Sequence, residues 1–589
     1  MKYKLLAAAV FAAITPQVQG ATPYVLEELG NLDYAKHAYV TDANEAGQAV
    51  GMAQGVFNIV IDIAELDFED TRLTNAYKDR ERVFENRDEE ITFTLDDIEN
   101  GNINGDAQRF LQDFLLSSYA DSRYQKISSN SGSEFNVAIE YNNPTQERVI
   151  YDVEHPDYDG GLTRSVENIL TSIAEDGVKA GWGSAPYTKI QFTEDGETES
   201  ETHYIRDFTR RGFVMTNTGE RVDLMPTEVT YGGISGAYNI VQVSDGYLVV
   251  GETSVSIASD SQESLDESCD GDKLPVEVCH ESYVNSSSRA LYNRNATMWR
   301  LDNALNVTDT VDLGLGIVPD EDEQKRAWRS TALAVNDNEI AVGYSVVRYR
   351  DGDGITQYPV YYKDGNVVEF IDEYDYRPGG RAVAINDNNI ITGYAIKRIE
   401  NTERSKFFYH NVATGETVFP TDFFKSSSAV ATDINDNGLI IGQGEVETSS
   451  SASRRKEAFI YDINKDTFTN LNDLLPCFAN DGESSFPYVV AEAISISNDG
   501  TVYGTATKTV DKRDAQGNVV VDANGKVEQE SVVVSVKLKY NAEGVVEKCP
   551  EKAQETYERQ GASFGALGLL LLPLVAIRRR FLNSKCFIQ

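Results

Sequence analysis

Ala332-Leu333-Ala334-Val335-Asn336-Asp337-Asn338-Glu339-Ile340-Ala341-Val342-Gly343-Tyr344 decides the fold of this chain, because it is one of several copies. A short alternating strand leads into an Asn/Asp turn whose residues tolerate positive φ, and a β-branched strand then ends at a glycine. The pattern returns as Ala382-Val383-Ala384-Ile385-Asn386-Asp387-Asn388 on to Gly393-Tyr394, as Asp433-Ile434-Asn435-Asp436-Asn437-Gly438 on to Gly442, and as Ser495-Ile496-Ser497-Asn498-Asp499-Gly500 on to Gly504. Weaker copies end at Gly51, Gly181 and Gly251, which makes seven. A second strand pair follows most copies: Tyr358 to Tyr362 with Val367 to Ile371, Phe407 to Tyr409 with Thr417 to Phe419, and Ala458 to Tyr461 with Thr467 to Leu471. Four short strands per unit, repeating every roughly 50 to 60 residues over the last four copies, is the pattern of a propeller blade. The sequence therefore predicts an all-β fold, a β-propeller of about seven four-stranded blades over residues 21–550.

Both ends of that span carry strands. Val532 to Tyr540 and Val545 to Val546 predict an outer pair in the last blade, and Tyr24 to Leu29 a strand just before the first hairpin. A ring that pairs its two ends in one blade has no open edge. Spacing between copies leaves room for two insertions, at about 57–126 and 254–290. The first is dense in Asp and Glu and has helix-like stretches at Arg80 to Arg87 and Ala107 to Tyr119; Phe110, Leu111, Phe114 and Leu115 fall on one face of the latter. The second is Ser-rich and acidic.

The chain has 589 residues, 94 of them acidic against 53 basic, for a formal charge of −41. With 41% hydrophobic residues it has ample core, which excludes global disorder. So negative a surface is repelled by phosphate backbones and anionic headgroups, which argues against a nucleic-acid partner. Lys2, Lys4 and the apolar run Leu5 to Ile14 predict a signal peptide over 1–20, cut after Gly20. After a linker at 551–561, the apolar run 562–577 predicts a transmembrane or sorting helix. A basic tail, 578–589, opens with Arg578, Arg579 and Arg580 and is expected to stay cytoplasmic, leaving the acidic body outside the inner membrane. Of five cysteines, Cys586 lies beyond the arginines, which leaves Cys269, Cys279, Cys477 and Cys549 as an even set for an oxidising compartment. A local Cys269–Cys279 bridge is expected, and Cys477 with Cys549 would tie the last blade.

The repeats resemble the HAF type of extracellular repeat. The C-terminal segment Gly561-Ala562-Ser563-Phe564-Gly565, followed by the apolar run and the three arginines, resembles a GlyGly-CTERM sorting signal, with Ala in place of the second Gly. The whole arrangement looks like a Gram-negative exported family built on a domain of unknown function. That resemblance implies a sorting protease and secretion machinery as partners, followed by display at the cell surface; a plain membrane anchor is the alternative.

Catalytic signatures fail one by one. The Gly561-to-Gly565 stretch matches a GxSxG nucleophile elbow on paper, yet no histidine follows Ser563 to act as its base. His37, His155, His203, His280 and His410 are scattered and no CxxC occurs, so no zinc site is indicated. Asp351-Gly352-Asp353-Gly354, Asp270-Gly271-Asp272 and Asp522-Ala523-Asn524-Gly525 offer oxygen ligands for calcium, but none completes an EF-hand loop. The Asn336-Asp337, Asn386-Asp387 and Asn435-Asp436 pairs read as turn formers, and Arg454-Arg455-Lys456 as a solvated loop. The expectation is a binding or structural module of the cell envelope, not an enzyme, with no cofactor and with an envelope protein or glycan as partner. The competing expectation is a secreted calcium-dependent hydrolase of carbohydrate or phosphate esters.

Overall fold

The computed structural model describes residues 22–549, except 31, 88, 118–135, 142–143, 157, 159–160, 285–289, 321, 351, 353, 449–453, 480–481, 483 and 523. Chain contacts divide into two units, Met1–Glu547 and Lys548–Gln589, and the second has only residues 548–549 described. The first unit holds seven four-stranded sheets of antiparallel strands, one blade for each sequence repeat. Blades 1 to 7 cover 35–148, 168–224, 235–314, 330–369, 377–418, 429–470 and 489–540. In each of the first six, chain order runs from the inner to the outer strand.

Blade 7 is closed differently. Its inner three strands are Val489–Ile496, Val502–Asp511 and Gln529–Tyr540, and its outer strand is the N-terminal Tyr24–Glu28. The register runs from Tyr24 opposite Tyr540 to Glu28 opposite Val536. Val545 and Val546, expected as the outer strand here, are exposed coil; the edge they would have covered is already taken by the N-terminal strand.

The seven repeat glycines share one cause. Each lies on the second strand of its blade, opposite a register shift in the inner strand: between Val40 and Asp42 for Gly51, and between Ala332 and Ala334 for Gly343. The extra residue of such a bulge pushes the inner backbone toward its partner. A Cβ at Gly343 would sit 1.9 Å from the Thr331 carbonyl oxygen, and one at Gly251 would sit 1.8 Å from that of Gly236. The glycine is thus required by backbone approach, not by a turn.

The Asn-Asp pairs do form turns, but the turns are also fastened to one another. Asn336 Nδ2 donates to the Asn386 carbonyl of the next blade, Asn386 Nδ2 to Asn435 and Asn435 Nδ2 to Ser497, each at 2.9 Å. The following backbone N–H does the same: Asp337 to the Asp387 carboxylate at 3.1 Å and Asp387 to Asp436 at 3.0 Å. Asn498 N–H reaches the Glu45 carboxylate at 2.7 Å, so the chain of contacts passes through the closure into blade 1.

The first insertion carries helices α1 (Thr71–Glu85), α2 (Leu95–Glu99) and α3 (Gly105–Ser117). Phe110, Leu111, Phe114 and Leu115 are all buried, in a small core with Leu73, Phe93 and Ile98. The second insertion is helical, which its Ser-rich, acidic composition did not announce. It forms helices α4 (Ser259–Ser268) and α5 (Val276–Val284), stapled by the Cys269–Cys279 disulfide at a Cα separation of 5.6 Å. Leu265 and Tyr283 anchor the pair against Leu291 and Tyr292.

Candidate functional site

Inner strands start at one mouth of the central channel and end at the other, where the Asn/Asp turns sit. The bulges line the channel between. A cavity of about 380 Å³ is bounded by Thr41, Thr171, Tyr238, Leu333, Val383 and Thr432, the extra residues of the first six bulges. Three of them also join blades: the hydroxyls of Thr41, Thr171 and Thr432 donate to the carbonyls of Leu170, Ala237 and Ala493 of the next blade.

The turn mouth is acidic, with Glu45, Glu175, Asp337, Asp387 and Asp436 in the corresponding turns. Burial, together with Asp387 and Asp436, raises the Asp337 carboxyl above its ordinary range. Burial does the same for Glu45, with Glu175, Asp499 and Asp436 adding to it.

The starting mouth has the opposite character. Glu252, the residue after the repeat glycine of blade 3, is fully buried there. The Arg329 fork grips it with Nε at 2.6 Å and Nη2 at 2.8 Å, and the hydroxyls of Tyr238 and Thr331 donate to it at 3.0 and 3.2 Å. Arg210 and Arg294 stand farther off, at 3.5 and 3.4 Å. Burial alone would raise the Glu252 carboxyl, but Arg294, Arg329 and Arg210 outweigh it and hold it at about 2, so it is anionic across the physiological range. Aromatic rings separate the guanidinium groups. Arg210 lies over Trp182 at 4.3 Å from its centroid, while Arg329 and Arg381 share the ring of Tyr344 at 5.6 and 4.9 Å.

This row occupies blades 2 to 5, and its sequence signal was available but unread. Trp182, Glu252, Tyr344 and Tyr394 each follow the repeat glycine, a position constant in the fold and variable in the sequence. Arg210 sits just before Arg211–Met215, a strand that the repeat signature does not mark, and Arg329 just before Ser330–Val335, outside the residues that the signature covers.

A family model described as "Protein of unknown function (DUF3466)" matches residues 1–580. The chain belongs to this family. No curated protein matches it. Among solved structures, the β-propeller domain of the Trilobed protease from Pyrococcus furiosus is 10% identical, with 67% of this chain and 87% of that one covered at a TM-score of 0.31. Oligogalacturonate lyase from Vibrio parahaemolyticus is 12% identical, with coverage of 72% and 90% and a TM-score of 0.29. A Mycobacterium tuberculosis puromycin-hydrolyzing peptidase is 10% identical, with coverage of 87% and 56% and a TM-score of 0.33.

Other candidate residues in this DUF3466 chain fall elsewhere. A larger cavity, about 500 Å³, lies between α3 and the excursion of blade 7. Its rim cations Lys36 and Lys512 are neutralised by Glu530 at 2.6 Å and Glu528 at 2.5 Å. Cys477 and Cys549 are disulfide-bonded, as Cys269 and Cys279 are. Gly561, Ser563, Gly565, Arg578, Arg579 and Arg580 lie outside the described residues, as do the expected signal peptide and the run 562–577. Among the described residues no helix is long and apolar enough to cross a membrane. Asp522 accepts from the backbone N–H groups of Asn524 and Lys526, which is the work of a turn. Among the described residues no group of three or more His, Cys, Asp or Glu is placed to hold a metal ion. Arg454, expected to be solvated, instead pairs with Glu445 at 2.8 Å, because the carbonyl of Ser426 and the Glu445 carboxylate enclose it.

Proposed function

We propose that this chain is a binding module of the cell envelope that takes its ligand at the arginine and aromatic mouth of the propeller. The carrying observation is convergence. Connections between blades and both helical insertions leave the sheets at the ends nearest this mouth, where the guanidinium and aromatic row of blades 2 to 5 lies and Tyr238, Arg381 and Tyr394 line the cavity. Rigid strands hold those side chains while long loops around them supply variation, the usual division of labour in a binding scaffold. Two pairs of oxidised cysteines support export to an oxidising compartment, and surface sorting follows if the C-terminal signal operates as its resemblance implies.

Retention of envelope glycans and envelope proteins on the immobilised chain tests the reading. Retention should be lost with Tyr394→Ala, which lines the cavity, and kept with Asp387→Asn at the opposite mouth. Equal retention by both variants, or turnover of carbohydrate or phosphate esters in the presence of calcium, would overturn it.

A further inference from the structure

The cation count around Glu252 is too high for a structural ion pair. One carboxylate, fully buried, faces three guanidinium groups, and only Arg329 uses both arms of its fork on it. Arg210 and Arg294 make single long contacts and keep 29% and 22% of their side chains exposed. Glu167 also acts on Arg210, while Glu252 is the principal acid acting on Arg294. With Arg381 beside Arg329 on Tyr344, four guanidinium groups gather near the one fully buried Glu252, in a protein of net charge −41. Part-exposed guanidinium charge beside a buried carboxylate is well served by an oxyanion, which a guanidinium binds through two parallel hydrogen bonds.

We infer that Arg210 and Arg294 form an oxyanion subsite, which receives a carboxylate or phosphate group of the ligand beside Glu252. This rests on the binding-module reading and names the chemistry of its ligand. Glu252 acts there as a spacer: it orients Arg329, neutralises one cation and leaves two guanidinium forks facing the mouth.

Calorimetric titration of the full chain with inorganic phosphate and, separately, with citrate tests the inference, with glycerol as a neutral control. At least one anion should bind, with affinity falling as salt rises. Arg294→Gln should weaken binding about tenfold or more while the melting temperature stays near that of the parent, and Glu252→Gln should strengthen it, because it removes a competing carboxylate. Preference for phosphate over citrate, or the reverse, identifies which oxyanion the ligand carries. Should neither anion bind, or should Arg294→Gln bind as the parent does, the oxyanion subsite is wrong. In that case a neutral glycan retained through Tyr394 would leave the binding-module reading standing, whereas loss of all retention would remove both. If Glu252→Gln does not fold, Arg210→Gln replaces it as the second variant and should weaken binding as Arg294→Gln does.

Discussion

At the scale of single residues, the repeat glycines are held by backbone contact and should tolerate nothing larger. Gly343→Ala forces a Cβ against the Thr331 carbonyl and should cost about 1–3 kcal/mol, read as a lower urea midpoint. Gly365, at φ +74° with open space around it, provides the contrast: its alanine variant pays only for the backbone conformation, about 1 kcal/mol. Asn386→Ala removes a buried amide that joins two blades and also receives the Ile390 N–H at 2.9 Å, so it should cost about 1–3 kcal/mol by the same measurement. The Asn-Asp turns were legible in the sequence as turns, since a hairpin is a local object written in adjacent residues. Their second role was not, because the carbonyl that Asn386 reaches belongs to Asn435, a blade away, and no local rule fixes how neighbouring blades are spaced. The arginine mouth was hidden for the same reason: Arg210, Glu252, Arg294 and Arg329 meet only when three blades are set side by side.

Among the elements, the inner hairpins were fully readable and the excursions only partly so. Phe110, Leu111, Phe114 and Leu115 announced α3 through their spacing, and the structure buries all four. Helices α4 and α5 escaped detection because serines and acids dilute the apolar signal, leaving Leu265 and Tyr283 to do the anchoring. That segment should depend on its covalent staple. Cys269→Ser, Cys279→Ser should lose about 2–3 kcal/mol of local stability, seen as faster proteolysis within 259–284, while the blades melt as before. The strand Tyr24–Glu28 behaves in the opposite way. Its removal strips the outer edge of Gln529–Tyr540 along the full register, so truncation after Glu28 should lower the melting temperature of the ring and promote aggregation through the bared edge.

For the molecule as a whole, stability should respond to pH through carboxyls on both sides of the ordinary range. Burial, with Asp42 close by, raises the Asp433 carboxyl to about 7, against hydrogen bonds from the Ile496 and Ile434 N–H groups. A folded state that holds this proton more tightly than the unfolded chain is favoured below pH 4, and loses that advantage as pH rises toward 7. Glu252, depressed to about 2, contributes in the other sense: its stabilisation is complete above its unfolded value and disappears as pH falls through 2. Urea midpoints should therefore be higher at pH 5 than at pH 8, and Asp433→Asn should flatten the difference. The closure has one more consequence. Tyr24 faces Tyr540 and its hydroxyl donates to Gly500 O in the last turn, so both closing strands have these ends on the acidic side. A ligand that enters among the guanidinium groups therefore stays clear of the Tyr24 and Tyr540 ends of the closing strands.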